Sequence, residues 1–174
     1  MIKSLKRITL LLLAVTGIST TAHAASALLK DQSTAIAGGE VFIEQTHNEE
    51  ARGVVMEQLK ALKNNDKPKS DAGIRTAWDY AHPSNREATG PLDRFVTMLK
   101  SPTYRELINH QSHEVRLVDS SQGSATFEVI VYPEKYSAPL KYFWSVATIN
   151  TGKRKGEWAT TAVSAPLVVG VPPA

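Results

Sequence analysis

The chain reads as an α+β protein, with amphipathic helices packed on a curved four-stranded antiparallel sheet. Three observations predict this. From about residue 49 to 109 the apolar residues recur at helical spacing, and after His110 they alternate. Prolines at 68, 83 and 102 punctuate the first half as helix stops. Ser120-Ser121-Gln122-Gly123 and Asn150-Thr151-Gly152-Lys153 punctuate the second half with hairpin-turn chemistry. Helices before strands give segregated α+β layers. A sheet wrapped over the helices makes a cone whose interior is either filled by side chains or left open as a pocket.

The elements follow in order. Met1 to Arg7 carries Lys3, Lys6 and Arg7 and no acid, Ile8 to Ile18 is almost wholly apolar, and Ala22-His23-Ala24 has A-x-A spacing. This is the plan of a signal peptide over residues 1–24, with cleavage between Ala24 and Ala25. The apolar run rises only about 16 Å as a helix, roughly half of a ~30 Å hydrocarbon core, so an anchor is disfavoured. Residues 25–48 read as an irregular leader broken at Gly38-Gly39.

A single α+β domain is expected over residues 49–164. Its first helix spans about 49–64, with Val55, Leu59 and Leu62 on one face. The second spans about 70–81, capped by Ser70 or Asp71, with Ile74, Ala77, Trp78 and Ala81 turned inward. Ser84 to Gly90 reads as a polar connection. A third helix begins at Pro91, with Leu92, Phe95, Val96 and Leu99 buried, and a short turn follows over Tyr104 to Asn109. The strands form a meander. Their inward sets are Val115 and Leu117; Phe127, Val129 and Val131; Tyr142, Trp144 and Val146; and Trp158, Thr160 and Ala162. Residues 165–174, with prolines at 166, 172 and 173, read as an extended tail.

Charge and cysteine content narrow the function classes. The chain has 20 basic and 17 acidic residues, and three of the basic ones lie in residues 1–24, so the rest balances at 17 against 17. The calculated pI of 9.1 therefore owes much to the leader. Lys153-Arg154-Lys155 is the one compact basic cluster, and three like charges at a turn make a solvated tip. Nucleic acid is not an expected partner. There is no cysteine, so the domain is held by apolar burial rather than disulfides, and no thiol is present for acylation at the signal junction. No second apolar run approaches the ~20 residues of a membrane span. A periplasmic or secreted protein, with no membrane contact once the signal is removed, is the expectation.

Four strings carry a family resemblance: Leu59-Lys-Ala-Leu-Lys-Asn-Asn-Asp66, Ala77-Trp-Asp-Tyr-Ala-His-Pro-Ser-Asn-Arg86, Ala88-Thr-Gly-Pro-Leu92, and Ser101-Pro-Thr-Tyr104 followed by Leu107-Ile-Asn-His110. Over residues 50–163 the chain resembles the DUF4864 family of uncharacterised proteins, which is similar to the NTF2-like (SnoaL-like) cone. The resemblance implies the cone and, through its open sheet face, a homodimer. It brings no reaction with it, since such cones serve as isomerases, dehydratases, ligand binders and interaction modules.

The residues that could carry chemistry are few. Asp79, His82, Arg86 and Glu87 crowd the end of the second helix and its following loop. An Asp–His pair could move a proton while Arg86 holds a substrate carboxylate. The plainer reading is a salt bridge and a capping histidine. His110 and His113 have H-x-x-H spacing, but a strand would send them to opposite faces, and zinc needs three or four convergent ligands. No metal and no cofactor is expected, as there is no phosphate-cradling glycine loop and no nucleophile beside a base. Trp78, Tyr104 and Trp144 could line an apolar pocket. The leading reading is a non-catalytic module that binds a small ligand or a protein. The alternative is a cone-fold lyase or isomerase that uses the Asp79/His82 pair.

Overall fold

The computed structural model describes residues 44–133 and 138–170. The signal peptide, its cleavage site and the Gly38-Gly39 break lie outside the described residues, as does the end of the tail. Among the described residues the protein is α+β, with helices before an antiparallel sheet.

Helix α1 is already under way at residue 44, within the stretch read as irregular leader, and runs to residue 63. Ala51, Val55, Leu59 and Leu62 are its buried stripe. Helix α2, Ala72–Asp79, crosses α1 at Gly73, where an added Cβ would strike the Ala61 carbonyl. Its cap departs from the sequence expectation. Asp71 has φ 61° and its side chain caps nothing. Asn65, from the loop before it, does this work: its carbonyl accepts from Gly73 N (2.9 Å) and its Oδ1 from Ile74 N (3.0 Å). Asn65 Nδ2 in turn donates to Asp66 and Asp71, Asn109 Nδ2 donates to Asp66, and Lys100 pairs with Asp71 at 2.7 Å. Hydrogen bonds from Asn109 foremost, then from the Asp71 N–H, and from Asn65 hold the Asp66 carboxyl below its usual range.

The segment expected as a polar connection forms a helix, α3, over Pro83–Thr89. Pro83 therefore opens a helix rather than only closing one, which its fixed φ and missing N–H permit. Between α2 and α3 the chain straps onto the sheet. Thr160 N donates to Tyr80 O (2.9 Å), and His82 N donates to Thr160 O (2.8 Å). Helix α4, Leu92–Leu99, buries Phe95 and Leu99, and a 3₁₀ turn at Arg105–Leu107 leads into the sheet.

The sheet is the expected meander with a fifth strand added. Strands β1 (Ser112–Ser121), β2 (Ser124–Tyr132), β3 (Leu140–Thr148) and β4 (Trp158–Val163) pair in that order. The tail does more than extend: β5, Leu167–Val168, pairs with Leu140 and Lys141 along β3. Two bulges shift the register, one in β1 between Leu117 and Asp119 and one where β4 meets β3. The second corrects the inward set of β4. Trp158 and Thr160 face in, but beyond the bulge Ala162 pairs with outward Ser145, and Val163 pairs with Trp144 instead. Phe127, Val129, Val131, Tyr142, Trp144 and Val146 meet the apolar stripes of α1, α2 and α4 in one core. The opposite face carries polar pairs, including Arg116–Glu128 at 3.1 Å and Thr126 with Ser145 at 3.3 Å.

Candidate functional site

Helix α1 is apolar along its buried stripe except at Gln58, which is 3 % exposed. A buried amide must find partners or cost stability. Gln58 Nε2 donates to Ala77 O (2.8 Å), and its Oε1 accepts from both Trp144 Nε1 (3.0 Å) and the Thr160 hydroxyl (2.5 Å). Trp144 Nε1 also reaches Thr160 Oγ1 at 3.1 Å. The three side chains come from α1, β3 and β4, and they form a closed polar floor.

Above this floor lies a partly enclosed cavity of about 260 Å³. Leu62, Phe95, Leu99 and Leu107 supply apolar wall, and α3 supplies Asn85 and Thr89. Asn85 Nδ2 donates to Thr160 O (3.1 Å), and Thr89 Oγ1 donates to Asn85 O (2.7 Å). Tyr104 closes one side, its hydroxyl 3.4 Å from Val163 O. The size falls just under the usual range for small-ligand sites, and the lining is mostly apolar with a few polar groups.

Two of the three residues read as pocket candidates, Tyr104 and Trp144, line this cavity. Trp78 is not among its lining residues. Its ring packs against Phe95 at a 52° tilt with centroids 5.1 Å apart, lies under Gly90, and carries the Arg86 guanidinium at 5.3 Å.

The proposed acid–base cluster is placed elsewhere. The Asp79 side chain is 78 % exposed and lies 3.9 Å from Arg86. Arg86 donates to Asp79 O (2.8 Å), as does Arg154 from the basic turn (3.1 Å), so two cations sit at the α2 C-terminus, where the macrodipole favours them. His82 is the N-cap of α3: its Nδ1 accepts from Ser84 N at 3.2 Å and lies 2.8 Å from Ser84 Oγ. Neither Asp79 nor His82 is among the residues lining the cavity. The geometry gives a proton-transferring Asp79–His82 pair no support.

His110 and His113 do meet, contrary to the expectation of opposite faces. His110 precedes β1, so the alternation of a strand does not govern it. Its Nδ1–H donates to Leu107 O (2.8 Å), which leaves Nε2 to accept from His113 Nδ1 (2.7 Å). Burial pushes the His110 imidazole down to about 4, and burial also lowers that of His113, with Lys63 adding repulsion. Among the described residues no three His, Asp or Glu side chains converge as metal ligands.

Tyr142 is fully buried, its hydroxyl has no hydrogen-bond partner among the described residues, and burial raises its ionisation range. Sequence reasoning missed Gln58 as a site residue. The available signal was a polar residue on a stripe otherwise composed of Ala51, Val55, Leu59 and Leu62. Among the described residues no helix is long and apolar enough to cross a membrane. The chain matches no protein-family model, no curated protein and no solved structure.

Proposed function

We propose that the protein is an exported, non-catalytic module that binds a small ligand in the cavity above Gln58, Trp144 and Thr160. The cavity of about 260 Å³ carries this reading, because a protein interior is otherwise packed with few voids larger than water. The absence of an acid–base pair from its lining among the described residues favours binding over chemistry. The three-part leader at residues 1–24 supports export to the periplasm or beyond, and the four strings from Leu59 to His110 support membership of the DUF4864 family with its NTF2-like cone.

The test is extraction of the purified native protein, followed by mass spectrometry. A small molecule should co-purify at a fixed ratio and disappear in Ala88→Trp, which places an indole at the exposed rim of the cavity. Wild type and Ala88→Trp giving identical extracts would sink the reading. N-terminal sequencing of the exported protein should begin at Ala25.

A further inference from the structure

We infer that the cavity takes an uncharged, largely apolar molecule of about ten non-hydrogen atoms that presents one O–H or N–H donor. This rests on the ligand-binding reading above and narrows it to a chemical class, of which a bicyclic phenol or alcohol is an example.

Size sets the first limit. An apolar cavity of about 150 Å³ holds benzene, and the same degree of filling puts about ten non-hydrogen atoms in this one. Charge sets the second. Among the described residues every side chain lining the cavity is uncharged. The nearby Arg86 guanidinium is turned onto the Trp78 ring and the Asp79 carbonyl. A carboxylate or ammonium bound here would lose its water and meet no opposite charge.

Hydrogen-bonding capacity sets the third. The floor has no donor free at Trp144, whose single N–H is shared between Gln58 and Thr160, and the Thr160 proton is also spent on Gln58. At the α3 wall the balance differs. Asn85 must direct its amide nitrogen at the Thr160 carbonyl, so the Oδ1 orientation is determined. That oxygen receives only a long 3.4 Å contact from Thr89, whose one proton goes to Asn85 O at 2.7 Å. Asn85 Oδ1 and the Thr89 lone pairs are therefore acceptors with spare capacity beside an apolar chamber. A donor on the ligand completes them.

The experiment is calorimetric titration of the exported protein near neutral pH with three probes built on one naphthalene frame: 2-naphthol, 2-methoxynaphthalene and naphthalene-2-carboxylate. Naphthol should bind tightest, the ether about tenfold more weakly for want of the donor, and the carboxylate at least about thirtyfold more weakly. In Asn85→Leu/Thr89→Val the naphthol advantage over the ether should shrink to within about twofold, with affinity for the ether retained as evidence of an intact chamber. The ranking in the unaltered chain decides the matter even if that variant does not fold. A carboxylate that binds as tightly as naphthol overturns the uncharged class, and an ether that matches naphthol overturns the donor. In both cases the ligand-binding reading survives. If none of the three binds, the inference is overturned, while the co-purified molecule judges the ligand-binding reading separately.

Discussion

Two polar clusters flank the strap between α2 and α3, and they differ in almost every physical respect. Gln58, Trp144 and Thr160 meet in the interior and satisfy one another. Asp79, His82 and Arg86 are close in sequence, yet His82 caps a helix, Arg86 bonds a backbone carbonyl, and Asp79 is left in a long exposed ion pair with Arg86. The first cluster spans more than a hundred positions and is assembled by the sheet register, while the second spans eight and is assembled by helix geometry. Sequence proximity of titratable residues produced caps and an exposed ion pair. The tertiary assembly of neutral residues produced the chamber.

Substitutions in the first cluster should cost more than those in the second, with the extremes differing by about an order of magnitude. Trp144→Ala should have the largest effect, about 3–5 kcal/mol by urea denaturation, since it removes a buried indole and uncouples Gln58 and Thr160. A cost below about 1 kcal/mol would mean that the indole is not core. Acid tests a second buried polar contact. The unfolded chain takes up a proton at His110 near pH 6.5, whereas the folded chain holds out to about 4. Stability should be level above pH 6.5, fall through the window from 6.5 to 4, and lose up to about 3 kcal/mol there. Comparing chemical denaturation of wild type and His110→Gln across that window checks it, because the variant should show a flatter slope.

Gln58→Ala should cost about 2 kcal/mol by leaving the Ala77 carbonyl and part of the Trp144 donor unpaired. His82→Ala should cost about 1 kcal/mol, the worth of an N-cap, visible as a lower thermal midpoint. Asp79→Asn should change stability by less than about 0.5 kcal/mol, because an exposed pair at 3.9 Å contributes little. A loss of several kcal/mol there would erase the distinction between the clusters.

Much of the fold was legible because periodicity is a local signal. The stripe through Val55, Leu59 and Leu62 and the alternation through Phe127, Val129 and Val131 both follow from a backbone repeat that neighbouring residues share. The misses share a cause as well. The α3 segment has no buried residue and hence no apolar stripe to read. The inward turn of Val163 depends on a bulge that periodicity cannot show. Asn65 caps a helix from outside its own first turn, so position relative to Asp71 misled. Of the candidate site, Tyr104 and Trp144 were visible as large aromatics. Gln58 was not, because its role depends on two strands far along the chain.

The order of helices and strands, the hairpin turns and the apolar faces were thus written into local composition and spacing, where each residue's preference is decided within a turn or two of its neighbours. The chamber was decided only by packing. Whether facing stripes close on one another or leave about 260 Å³ open depends on how α1, α3 and α4 seat against β3 and β4. That seating is a sum of many small contacts and one bulge, which no local pattern encodes.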